Sequence, residues 1–215
     1  MTIERKICLP LYKFAYSITF IVLVSLIRGI TSVDEIGGAL LPNVSLLAIV
    51  LMADTYELER REKRREIFYL FPQRLKAKTV VKRILIQLMY VQGLSVAGYG
   101  LFYWKKLDSY EGDSQIILFT VFLINLIPIS AFWGMLSMTF VNVFQNLWEG
   151  VGCAVLLWLT AFSNFGDRIF GAFNIFAFIF HKEDGVSGWS GGMFLAAAAA
   201  ILMVLAVPYI IRKRG

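Results

Sequence analysis

Long apolar runs alternate with short polar breaks along this chain, and the runs have the length of helices that cross a membrane. The hydrocarbon layer needs roughly 20 mainly apolar residues per helical crossing. The pattern predicts a first span at about Leu11–Arg28, a second at about Gly38–Asp54, a third at about Ile84–Trp104 and a fourth at about Ile116–Met138. The third closes on Tyr103 and Trp104, aromatic residues suited to the membrane–water interface. Pro128 is expected to kink the fourth. The run Val151–Phe165 is short for a crossing, and the apolar centre of "GDRIFGAFNIFAFIFHKEDG" (166–185) is shorter still. That pattern predicts a re-entrant outer segment ahead of a last span at about Met193–Ile211. No internal period repeats and no low-complexity linker divides the chain. The expected fold is therefore an all-α polytopic membrane protein, a single transmembrane domain over residues 1–215 with six spans, the short run Val151–Phe165 counted as the fifth.

Composition agrees with the pattern. Of 215 residues 58% are hydrophobic and 15% aromatic, with a mean hydropathy of +0.68, too apolar for an ordinary soluble domain. Arg5, Lys6 and Lys13 ahead of the first run resemble the start of a secretory signal. No Ala-x-Ala-like cleavage site follows Leu26, so the run is expected to stay as a span. Cys8 and Cys153 have no metal-ligand spacing and form no disulfide framework.

Charge is distributed unevenly. Residues 57–83, "ELERREKRREIFYLFPQRLKAKTVVKR", hold ten Lys or Arg and four Glu between the second and third spans. Arg5, Lys6, Lys13, Arg212, Lys213 and Arg214 fall on the same side of a six-span arrangement. The opposite loops mix Arg28, Lys105, Lys106, Arg168 and Lys182 with eight acidic residues. Positive charge gathers in cytoplasmic loops, so both termini are expected inside a plasma membrane. A net charge of +6 would invite a nucleic-acid reading in a soluble protein. Here the basic block joins two spans, and anionic lipid headgroups are the expected counterpart, with no nucleic acid.

Within the block, Glu57/Arg61 and Glu59/Lys63 are spaced i,i+4 with the acid first, the favourable order on a helix. The character then changes: Ile67, Phe68, Tyr69, Leu70 and Phe71 are all apolar, and Pro72 ends the helix. Beyond it Arg74, Lys78 and Lys82 form a basic face, while Ala77, Val80, Val81, Ile84 and Leu85 form an apolar one. That pattern predicts an interfacial ramp leading into the third span. A topology signal needs only a few positive charges. Five consecutive bulky apolar residues in a cytoplasmic loop suggest a docking surface instead.

The arrangement resembles the coupling segment of type-2 ABC exporter permeases. Their pattern places an acidic residue, a Gly-Thr pair and a leucine-rich run before a proline, then a basic helix entering the third span. Arg65-Glu66-Ile67-Phe68-Tyr69-Leu70-Phe71-Pro72 is similar to the second half of that pattern, and Lys63-Arg64-Arg65 replaces the Gly-Thr pair. The residue-level likeness covers roughly residues 57–88, whereas the topological likeness covers almost the whole chain. The resemblance implies a permease that pairs with a second copy or a related subunit and with cytoplasmic ABC ATPase subunits. It further implies that Arg61, Arg64, Arg65, Ile67, Phe68, Leu70 and Phe71 contact the ATPase, and that a peptide, antibiotic or lipid-like substrate is exported. No Gly-x-x-x-x-Gly-Lys-Ser/Thr loop occurs in the chain, so it is expected to carry no cofactor, with ATP and Mg held by the partner.

Two other readings have a foothold. "GWSGG" (188–192) resembles the Gly-x-Ser-Gly of intramembrane rhomboid proteases, but the single His181 lies in the same outer loop as Ser190. A non-transporting immunity or scaffold protein would also carry these spans. Asp54, Glu149 and Asp167 lie near span ends, where water is expected to reach them. Gln87, Gln92, Asn125, Asn142, Gln145 and Asn146 either line a polar path or bond neighbouring helices. Gly93, Ala97, Gly98 and Gly100 suit close helix packing in the third span.

Overall fold

The structure, a computed structural model, describes residues 7–27, 30, 33, 35–56, 72–104, 115–176 and 190–214. All regular structure among them is helical: α1 Leu11–Ile27, α2 Glu35–Met52, α3 Gln73–Trp104, α4 Gln115–Phe144, α5 Leu147–Ala161, α6 Asn164–Phe170, a 3-10 turn Gly171–Phe173, and α7 Ser190–Arg214. Four of these, α2, α3, α4 and α7, are long and apolar enough to cross a membrane, while α1 and α5 are shorter apolar helices.

Prolines set two of the starts. The carbonyl of Pro10 accepts from the amides of Lys13 and Phe14, and that of Pro72 from Leu75 and Lys76, so each proline stands just outside the helix it begins. Asn146 and Ser163 begin α5 and α6 differently, their side chains accepting from the amides of Trp148 and Gly166. The expected ramp and the third span lie on a single helix. Residues 73–104 form one continuous helix of 32 residues, and the basic and apolar faces belong to the same rod.

Two helices form the centre. Two-thirds of the apolar stretch of α2 is buried, against about a third for α3, α4 and α7. α4 packs on α2, α5, α7 and, less extensively, α3. Met52, at the end of α2, occupies the space a side chain at Gly134 of α4 would need. A second apolar cluster joins Met52 and Tyr56 to Val80 and Ile84 of α3, Met135 and Met138 of α4, and Val207 of α7. The end of α2, the start of α3 and the second half of α7 therefore share one end of the bundle. Lys13 of α1 reaches the same end.

The short segment after α4 is built tightly. Gln145 adopts a left-handed φ of 57° and the chain reverses into α5. Gly150 lies against the backbone of Val141, where a Cβ would fall 2.4 Å from the amide nitrogen. At 15 residues α5 is about 22 Å long, shorter than the hydrocarbon layer. Asn174 then ties three elements together. Its side-chain amide donates to Ala161 O at 3.0 Å, its Oδ1 accepts from Phe176 N at 3.0 Å, and Gly192 of α7 rests on its carbonyl. Phe176 stacks on Trp133 and meets Phe162 edge-on.

Among the third-span glycines only part of the expectation holds. A Cβ at Gly98 would meet Ile21 and Leu40, so this glycine lets α1 and α2 approach α3. Gly93 and Gly100 have nothing within 4 Å.

Candidate functional site

The densest polar chemistry among the described residues lies inside the bundle where α2 ends. The last carbonyls of any α-helix lack intrahelical partners and carry the negative end of its dipole. Lys13 of α1 satisfies one of them: its Nζ donates to Leu51 O at 3.0 Å and to Asp54 Oδ1 at 2.5 Å. A carboxylate beside a helix C-terminus is repelled by that dipole, and the ammonium between the two offsets both. The pair is interior, with side chains 3% and 12% exposed.

Gln87 of α3 completes the cluster. Its Nε2 donates to Leu51 O at 3.1 Å and lies 3.5 Å from Cys8 O, while its Oε1 stands 2.6 Å from Thr55 Oγ1. This amide orientation follows from the surroundings, since the reverse would set Oε1 against two carbonyls. Thr55 Oγ1 is also 2.7 Å from Met52 O, so its single proton serves one of two acceptors at a time. One turn further along, Ser17 and Tyr90 share a hydroxyl–hydroxyl bond at 2.5 Å between α1 and α3. Lys76 and Arg83 are buried on the inner side of α3. The cluster thus couples the start of α1, the end of α2 and the first half of α3.

Asp54 was expected at a wetted span end and is instead buried against Lys13, which belongs to α1 rather than to a topology-setting loop. Glu149 is exposed and accepts from Asn146 Nδ2 at 2.8 Å, a capping arrangement. Asp167 lies in the first turn of α6. Of the amides, Gln87 and Gln92 bond neighbouring helices, Gln92 Nε2 donating to Ser130 Oγ of α4 at 2.8 Å. Asn146 caps α5, and Gln145 makes the turn ahead of it. Asn125 and Asn142 are buried on α4. Trp158 Nε1, which the sequence reading passed over, bonds Ser45 Oγ at 2.8 Å and Pro42 O at 3.1 Å, locking α5 to α2.

Arg61, Arg64, Arg65, Ile67, Phe68, Leu70 and Phe71 lie outside the described residues, as does His181. Ser190 is the first residue of α7. Cys8 is buried, Cys153 is half-buried, and both are free thiols. Among the described residues no group of three His, Cys, Asp or Glu side chains gathers to hold a metal.

No protein-family model, curated protein or solved structure matches the chain. What the site can do follows from its own groups. Among the described residues, Ser17 and Thr55 bond to a phenol, an amide and carbonyls. The arrangement is a junction: charged and amide groups fasten the start of α1, the end of α2 and the middle of α3 to one another.

Proposed function

We propose that this chain is the permease subunit of a type-2 ABC exporter. Two copies, or one copy and a related subunit, form the translocation path in a plasma membrane with six spans each and both termini cytoplasmic. Separate ATPase subunits hold ATP and Mg and do the hydrolysis. Residues 57–71 dock on the ATPase, with Ile67, Phe68, Leu70 and Phe71 in a groove and Arg61, Arg64 and Arg65 at its acidic rim. The exported molecule is a peptide, an antibiotic or a lipid-like compound.

The observation that supports this reading is the junction itself. The docking segment is bounded by Tyr56 and Pro72, and the two helices on either side are fastened by the Thr55–Gln87 and Leu51–Gln87 contacts. A push on the segment is thereby delivered to α2 and α3 together, and through Lys13 to α1. A loop that only set topology would need no such fastening.

Two measurements test it. Purification of the chain in mild detergent should bring down an ATPase with a phosphate-binding loop. The Phe68→Ala/Phe71→Ala double variant should insert normally yet separate ATP hydrolysis from export, because buried aromatic anchors carry most interface energy. Arg64→Ala should act more mildly and in a salt-dependent way. Full export by the double variant would remove the support for docking.

A further inference from the structure

Helix α3 turns one continuous stripe outward. Arg74, Lys78 and Lys82 are exposed and recur every fourth residue. Leu85, Met89 and Val96, all exposed, fall within the same sector of about 100° at the helical repeat. None of the three cations has a hydrogen-bond or ion-pair partner among the described residues. Lys76 and Arg83 lie on the other side of the rod and are buried, so the stripe is a distinct set of charges. It is cationic over its first two turns and apolar at Leu85, Met89 and Val96 beyond, with no break in the helix; Gln92, at the edge of the same sector, is half-buried and donates to Ser130 Oγ of α4.

That order matches one kind of partner. The three cations extend about 12 Å along the axis. One headgroup layer is about 5–8 Å thick. Because α3 is long and apolar enough to cross a membrane, a ladder along its axis runs across the headgroup layer and exceeds its thickness, and Lys82 is one turn from Leu85, the first apolar residue of the stripe. A water-borne polyanion could cover the cations but would leave the apolar half of the stripe unmatched.

We infer that this stripe is a binding surface for anionic phospholipid of the surrounding bilayer, its phosphate held by Arg74, Lys78 and Lys82 and its acyl chains lying along Leu85, Met89 and Val96. The inference stands on α3 alone and does not depend on the exporter reading. Juxtamembrane cations attract anionic lipid by about 1 kcal/mol each, so each neutralisation should lower the preference about fivefold.

The test uses the purified full chain in mixed micelles of phosphatidylcholine with phosphatidylglycerol, with native mass spectrometry counting the retained lipids. The wild type should retain phosphatidylglycerol preferentially. The Arg74→Gln/Lys78→Gln/Lys82→Gln variant, with its helical circular dichroism intact, should lose that preference. Arg212→Gln/Lys213→Gln/Arg214→Gln, which removes the same charge from the last turn of α7 at the same end of the bundle, should keep it. Equal loss in both variants would reduce the effect to net charge and overturn the inference. So would competition by water-soluble glycerol phosphate as strong as that by the lipid, which would mean the apolar half contributes nothing.

Discussion

Lys13 and Asp54 meet at 2.5 Å across 41 residues of sequence, inside the bundle. Opposite charges removed from water repay their desolvation only when further hydrogen bonds complete the geometry. Here Leu51 O supplies the second acceptor to the ammonium. Removing either partner leaves the other charge stranded, and measured losses for buried pairs run to about 3–5 kcal/mol. Asp54→Leu and Lys13→Met should each lower stability by roughly that amount. The double variant Lys13→Met/Asp54→Leu should recover most of the loss. Equilibrium unfolding of the four proteins in detergent, read as a double-mutant cycle, checks this. Additive losses would mean that the two groups do not interact.

The glycines offer a contrast within one molecule. Gly150→Ala would drive a methyl into the Val141 backbone, which cannot move aside as a side chain can. It should destabilise the α4–α5 hairpin by about 1–3 kcal/mol, the usual cost of overpacking. Gly93→Ala meets open space and gains helix propensity, so it should be neutral or stabilising by up to about 1 kcal/mol. Thermal unfolding of the two variants beside the wild type decides the matter, and equal midpoints would count against the close packing at Gly150.

Gln145 carries a positive φ of 57° without the freedom of glycine. A left-handed conformation costs an ordinary L-residue about 1–2 kcal/mol. Its side chain is exposed, so little packing is lost on truncation. Gln145→Gly should raise the unfolding midpoint, with a gain of about 1 kcal/mol. A lowered midpoint would mean that the side chain does more than occupy the turn.

The helices were legible in the sequence because lipid-facing and bundle-facing residues are both apolar, and a run of such residues marks a span whichever way it faces. The helix at the expected first span, about Leu11–Arg28, runs Leu11–Ile27 and is one of the shorter apolar helices, while the last, about Met193–Ile211, runs Ser190–Arg214 and is long enough to cross. The same uniformity hid the junction. Lys13 reads as one more positive charge near a terminus, and its partner stands at the far end of another helix. A lone lysine in one apolar run and a lone aspartate closing the next, on the same expected side, were the available signal. The basic repeat after Pro72 and the apolar run after it read as two pieces in the sequence, whereas helical hydrogen bonding runs unbroken from Gln73 to Trp104. Trp158 gave no sign that its indole would reach Ser45, since nothing in an apolar run tells which aromatic edge will find a carbonyl or hydroxyl.

Of the four long apolar helices, α2, α4 and α7 contain Pro42, Pro128 and Pro208, and only α3 has no internal proline. It is held at several heights: Gln87 to Leu51 and Thr55, Tyr90 to Ser17, Gln92 to Ser130, and Gly98 against Ile21 and Leu40. A rod pinned at several points, with no proline to hinge it, has no single pivot, so a load on its Gln73 end is shared among α1, α2 and α4.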